Sequence, residues 1–352
     1  MLTTAACEGP RPQRRVGRSR AIVTLLTIVA TLVFSYIALR NLDLALAWQA
    51  LRRTDYWWLA VSLGAFGLGD LTRAMRWRSL FARGRRPRVG AVANAMMVGY
   101  LYNSILPARA GEAARVVVLT QRGGTAPVEI VGTVMLERVY DVSAILVIFF
   151  IAAPWLPHVG WFGAAALVAI GLALLIAAAA IVLAIFGARP IRVLLNPLAR
   201  LSLLSQARLE RMLDELVHGL SGLRHSGVAL EAFVWTIVSW LLTAATAYLV
   251  TVAFGLQLPF ASGVLVAVAI GLSMILPSAP AAVGVFEAAA LIALKAYRIP
   301  HSSALPYALV LHLINFVPFV VIGTFLLRFN ARHPGVGRQP PATTQGIADR
   351  VS

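Results

Sequence analysis

The sequence predicts an all-α, polytopic integral membrane protein of about six full transmembrane helices plus two re-entrant helical hairpins in opposed orientation. Three observations carry that prediction. Hydrophobic residues make up 59% of the 352 and charged residues 13%, with a mean hydropathy of +0.80, which excludes a conventional water-soluble enzyme. The apolar residues fall in long runs, such as 21–39, 161–186 and 304–327, close to the roughly 20 residues needed to cross a hydrocarbon core. Between the runs stand clusters of arginine, the pattern left by the positive-inside rule.

Residues 1–20 form a basic tail carrying Arg11, Arg14, Arg15, Arg18 and Arg20. The run at 21–39 is longer than the usual apolar core of a secretory signal, so a retained first helix is expected. The other full spans are expected at 56–72, 128–156, 161–186, 229–254 and 304–328. Two further apolar stretches are interrupted. Pro107, Arg109, Gly111 and Glu112 break the first, at 90–120; Pro277, Pro280 and Gly284 break the second, at 261–297. Each half is too short to cross a bilayer, which points to re-entrant hairpins, and broken backbone at membrane depth must be buried in protein or line a hydrated cavity. Residues 188–227 space Leu209, Met212, Leu213, Leu216 and Leu220 among charges and read as an amphipathic connector on the cytoplasmic surface. Residues 329–352 are expected to be a disordered cytoplasmic tail.

With the first tail inside, this count brings the arginines of 73–88, 189–224 and 328–350 to the same side. Both termini are then cytoplasmic, in a multi-pass protein of the cell membrane. The net charge of +17 is accounted for in this way without nucleic acid as a partner, and the clusters suit anionic lipid head groups. The two hairpins share a local pattern: an apolar half-helix, Ile-Leu-Pro, a small-residue turn, then Gly111-Glu112 in one and Gly284-Val285-Phe286-Glu287 in the other. Opposed broken helices of this kind build midplane sites in transporters with inverted repeats. The plain alternative is chance recurrence of Ile-Leu-Pro in an apolar chain.

Charged residues inside such runs cost about 3 kcal/mol each at a helix centre and so need a reason. Glu137, Arg138 and Asp141 lie between apolar blocks of one run, with Arg138 and Asp141 at pairing distance along a helix. Either they face a wet or paired interior, or the span starts near Val139 and they sit at the cytoplasmic interface. Asn103, Arg109, Glu112 and Arg115 surround the first break, where Pro107 ends a half-helix and Gly111 allows close backbone approach. Arg109 and Arg115 suit a phosphate, whose oxygens a guanidinium binds bidentately; a structural Arg–Glu pair closing the turn is the other reading. Asp70 and Arg73 lie one turn apart, and Trp77 with Arg78 reads as an interfacial anchor. Glu287 offers either a counter-charge for a cationic head group or a cap for its half-helix.

Other chemistry finds little support. Cys7 is the single cysteine, which leaves no intramolecular disulfide and no Cys-based zinc framework. The six histidines show no metal-ligand spacing and read as interfacial or loop residues. Nucleotide-binding motifs and a Ser/His/Asp trio are missing, so neither cofactor, metal nor catalytic residue is assigned.

The motifs Asn103-x-x-x-Pro107-x-Arg109-x-Gly111-Glu112-x-x-Arg115 and Glu137-Arg138-x-x-Asp141, with the Pro-rich break before Gly284-Val285-Phe286-Glu287, resemble the lysylphosphatidylglycerol synthase transmembrane-region family of flippase-like proteins. Arg73-x-x-Arg76-Trp77 fits the same pattern, and the resemblance covers roughly residues 20–330. It implies a membrane domain that translocates a lipid. In two-part members a soluble aminoacyltransferase domain follows; here the sequence ends about 24 residues beyond the last expected span, so lysyl transfer is not implied. Pro277-Ser-Ala-Pro280-Ala-Ala-Val stands where relatives are often richer in glycine. The resemblance implies movement of a phospholipid, aminoacylated phospholipid or lipid-linked precursor, with Asn103, Arg109, Glu112, Arg115, Glu137, Arg138, Asp141 and Glu287 meeting its head group. An accessory scaffold for a separate lipid- or glycan-modifying enzyme, and an integral-membrane lipid-linked glycosyl or aminoacyl transferase, are the alternatives.

Overall fold

A computed structural model describes residues 48–49, 52–81, 84, 86–106, 110–157, 226–274 and 280–332, with isolated positions 167, 170, 171, 174 and 175. The span expected at 21–39, that at 161–186 apart from those isolated positions, nearly all of the 188–227 connector, the tail 1–20, residues 333–352, and Pro107, Arg109 and Pro277 lie outside the described residues; residues 329–332, expected in the disordered second tail, instead continue the helix that begins at His301. Among the described residues the secondary structure is helical throughout, with eight α-helices. They are α1 (Tyr56–Ser79), α2 (Val89–Ile105), α3 (Gly111–Gly123), α4 (Pro127–Ala152), α5 (Ser226–Ala253), α6 (Phe260–Ser273), α7 (Val285–Ala296) and α8 (His301–Arg332).

The helix ends follow from local chemistry. Asp55 caps α1, its carboxylate accepting from the Trp57 amide at 3.0 Å. Gly124 ends α3 in the left-handed conformation, φ 64°, which a residue with a Cβ resists. Pro127 opens α4 at the one turn where a missing N–H costs nothing.

Helices α1 and α5 pack antiparallel along most of their length. The Asp55 amide donates to Ala253 O at 2.9 Å, Ser62 Oγ to Thr246 O at 2.9 Å and Arg73 Nη2 to Thr243 Oγ1 at 2.7 Å. Helix α8 runs against both α5 and α2. Tyr307 donates to Ala247 O at 2.9 Å near its start, and Asn330 exchanges two amide hydrogen bonds with Asn94, at 3.1 and 2.8 Å, near its end. Helices α2 and α3 pack against each other, and so do α6 and α7. The turn Pro280–Ala282 of the second pair leans on α2 of the first.

Apolar packing divides into two regions. Trp77, Phe81, Val92, Met96, Leu119 and Ile130 fill one between α1, α2, α3 and α4. Phe149, Val266, Phe286, Leu294, Tyr307 and Leu311 belong to the other, among α4, α6, α7 and α8. The outside is apolar too. Leu309, Leu313, Val317, Val321 and Phe325 recur every fourth residue along α8 and are each 44–67% exposed, a stripe no soluble monomer carries without a partner or lipid. Two described helices, Gly227–Ala253 and His301–Asn330, are long and apolar enough to cross a membrane.

Candidate functional site

The charged residues singled out from the sequence meet where α1, α3, α4 and α5 converge. Glu137 on α4 is the centre. Its Oε1 forms an ion pair with Arg76 Nη2 of α1 at 2.8 Å and its Oε2 accepts from Arg115 Nη2 of α3 at 2.9 Å. One carboxylate therefore bridges two guanidinium groups on different helices, and all three side chains are at most 4% exposed. Arg76 also donates to Asp141, whose same oxygen takes the Trp240 indole N–H at 3.0 Å. The Arg115 guanidinium lies 4.0 Å over the ring of Trp77, whose indole N–H donates to Thr133 Oγ1 at 3.1 Å. Buried cations in this position are held on one side by charge and on the other by a ring face, which reduces the loss of hydration.

The cluster opens outward in steps. Glu112 on α3 receives Arg138 Nη2 at 2.8 Å and approaches Arg115 Nη1 at 3.5 Å. Side-chain exposure rises from 1% at Arg115 through 28% at Glu112 to 48% at Arg138. A polar group arriving from outside would meet Arg138 and Glu112 first and the Glu137 centre last. Beside it, Arg73 joins Asp70 at 2.9 Å. The Nε atoms of Arg76 and Arg115 are buried with no partner among the described residues.

Two glycines allow this convergence. Asn103 Oδ1 accepts from the Gly111 amide at 2.8 Å and ties the end of α2 to the start of α3. A Cβ on Gly111 would strike Gly99 O and the Asn103 amide, and one on Gly99 would strike the stem of Arg115. The second break has a centre of its own. Glu287 Oε2 accepts from the Gly284 amide at 2.7 Å and its Oε1 meets His312 Nδ1 at 2.6 Å, while His312 Nε2 faces Ala281 O at 3.0 Å. Ala281 and Ala282 both hold positive φ, 60° and 58°, a conformation costing about 1–2 kcal/mol per residue.

The structure corrects several expectations. Trp77 is no interfacial anchor but fully buried, because its ring carries Arg115. His312 is no loop or interfacial residue: it sits within α8, each ring nitrogen facing an oxygen. The Arg138–Asp141 pair is loose, 3.9 Å, since Glu112 takes Arg138 and Arg76 takes Asp141. Glu137 lies in a paired interior, while its neighbour Arg138 is half exposed and pairs with Glu112. Arg76 and Trp240 were missed as site residues. A buried acidic pair requires cations, and Arg76, followed by an aromatic one turn inside the first arginine cluster, was the sequence signal for one.

The sequence profile of the lysylphosphatidylglycerol synthase TM region matches residues 22–323. The chain belongs to that family. Both centres lie within the matched span. This lysylphosphatidylglycerol synthase TM-region protein is also similar to a UPF0104 membrane protein of Methanocaldococcus jannaschii, 27% identical over 224 residues that make up 64% of this chain and 92% of the relative. Membership of a membrane-domain family and the outward apolar faces of α5 and α8 agree that it is a membrane protein.

Proposed function

We propose that this protein moves a lipid between the leaflets of the cytoplasmic membrane, the cargo being a phospholipid, an aminoacylated phospholipid or a lipid-linked precursor. The observation that carries this reading is the graded ionic path from Arg138 and Glu112 at the surface to Glu137, Arg76 and Arg115 within, placed at a helical break of a membrane domain. A head group cannot cross hydrocarbon without polar partners, and ions inside a membrane domain are too costly to keep without use. On this reading the lipid phosphate displaces Glu112 from Arg138 and then engages Arg115, together with Arg109. Glu112, Glu137 and Asp141 take the cationic or hydroxyl atoms of the head group. Six full spans, both hairpins re-entrant from opposite faces and both termini in the cytoplasm complete the proposal, since arginines gather at the end of the bundle formed by Arg78, Arg86, Arg88, Arg328 and Arg332.

Leaflet exchange of labelled lipids in proteoliposomes tests it. Wild type should accelerate exchange of one of the three cargo classes, and Glu137→Gln and Arg138→Ala should abolish or strongly reduce it at matched reconstitution. Absence of exchange for all three classes by folded protein overturns the reading. The mutual saturation of Arg76, Arg115 and Glu137 favours a second reading, an accessory scaffold for a lipid- or glycan-modifying enzyme. That reading requires such an enzyme to copurify and to do so equally well with Glu137→Gln.

A further inference from the structure

The Glu287–His312 centre is separate from the arginine cluster, and its hydrogen bonds fix its proton count. Ala281 O only accepts, so His312 Nε2, 3.0 Å away, must carry a hydrogen. At 2.6 Å, Nδ1 and Glu287 Oε1 need a second hydrogen between them. A neutral imidazole has one N–H. The arrangement therefore exists only with one proton more than a neutral histidine beside a carboxylate. Without that proton the imidazole has one N–H for two oxygens: held on Nδ1 beside the carboxylate, it leaves the Nε2 lone pair facing Ala281 O.

We propose that Glu287 and His312 form a proton-binding site that latches the turn of the second hairpin onto α8. One proton taken from water gives both ring nitrogens an N–H, so that Nδ1 donates to Glu287 and Nε2 to Ala281 O, and the latch closes. Its return to water leaves a neutral imidazole whose one N–H stays with the Glu287 carboxylate, so Nε2 no longer donates to Ala281 O and the latch opens. Three features make the turn the part that answers. Ala281, held by Nε2, is one of two consecutive alanines in left-handed conformation, which relax once the tie is cut. Phe286 stacks on the imidazole at 4.5 Å with Phe316 edge-on at 5.9 Å, so the ring itself stays in place. The same turn leans on α2, which carries Gly99 against Arg115, so its release reaches the arginine cluster through one helix.

No other charge among the described residues competes for the proton. The electrostatic partner of Glu287 is His312, with the backbone amides of Gly284 and of Glu287 itself. On α7 the next ionisable group is Lys295, about 12 Å further along the axis. Helix α6 has none, Tyr307 of α8 is tied to α5, and Asp70 and Arg73 of α1 are tied to each other. Tyr100 and Tyr102 are the ionisable groups of α2. Use of the latch to couple protons to lipid movement rests on the function proposed above; the latch itself does not.

Hydrogen exchange of the full chain in nanodiscs, corrected for intrinsic rates, tests it across about pH 5 to 9. Protection of the amides of 281–288 should fall about tenfold or more from the acid to the alkaline end. Glu287→Gln should stay protected throughout, because its amide N–H2 can donate to Nδ1 while its oxygen still accepts from Gly284. His312→Phe, which keeps the stacking, should be unprotected throughout. A flat wild-type profile overturns the latch, as does a Glu287→Gln profile that follows wild type. A pH-dependent latch in protein that exchanges no lipid removes the transport reading and leaves the latch, whereas lipid exchange with flat protection does the reverse.

Discussion

At the scale of single residues, position in the ionic path sets what each substitution costs. Glu137→Gln leaves Arg76 and Arg115 buried with half their compensation, and breaking such a pair costs about 3–5 kcal/mol. Thermal unfolding in detergent should register it as a large loss. Arg138→Ala removes a half-exposed partner of Glu112 and should cost no more than about 1 kcal/mol by the same measurement. The contrast separates a stability effect from a loss of exchange, because only the second is expected of Arg138→Ala. The sequence made Glu137, Arg115 and Glu112 visible, since an ion in an apolar run demands explanation. It concealed Arg76 and Trp240, because an arginine at the end of a span and a tryptophan within one both have ordinary interfacial roles, and their partners lie 61 or more positions away.

Elements are governed by close approach. Gly111→Ala would drive its methyl into Gly99 O and Asn103, backbone and a short side chain that cannot yield, so α2 and α3 must part. A loss of about 1–3 kcal/mol on thermal unfolding is expected, with weakened exchange beyond what stability explains. Gly323→Ala, whose methyl would stand 2.7 Å from Leu101 Cβ and 2.8 Å from Met97 O, should destabilise the α8–α2 contact comparably without touching the ions. Both helical pairs were legible as interrupted apolar stretches, because Pro and Gly at mid-run leave few other conformations. Helix lengths were less so. Helix α1 continues to Ser79 rather than stopping near 72, since Asp70, Arg76 and Trp77 turn inward, and a reading by hydropathy stops at the first arginine while the helix does not.

For the whole molecule, the two ends differ in chemistry. Exposed Tyr56, Trp57 and Trp155 mark one, and the arginines near residues 78–88 and 328–332 mark the other. In a Cys7→Ser background, Gly84→Cys and Trp155→Cys should therefore react with an impermeant maleimide from opposite sides of the membrane; labelling from one side would remove the proposed topology. The ionic cluster adds a consequence of its own. Arg73, Arg76, Arg115 and Arg138 are matched by Asp70, Glu112, Glu137 and Asp141, so among the described residues the group carries no net formal charge. The transmembrane voltage exerts about 2.3 kcal/mol per elementary charge per 100 mV, and on a neutral group moving as a unit that work vanishes. Such a group can shift through the field without being pulled by it, and under the proposed function the membrane potential would act on the charge of the lipid head group alone.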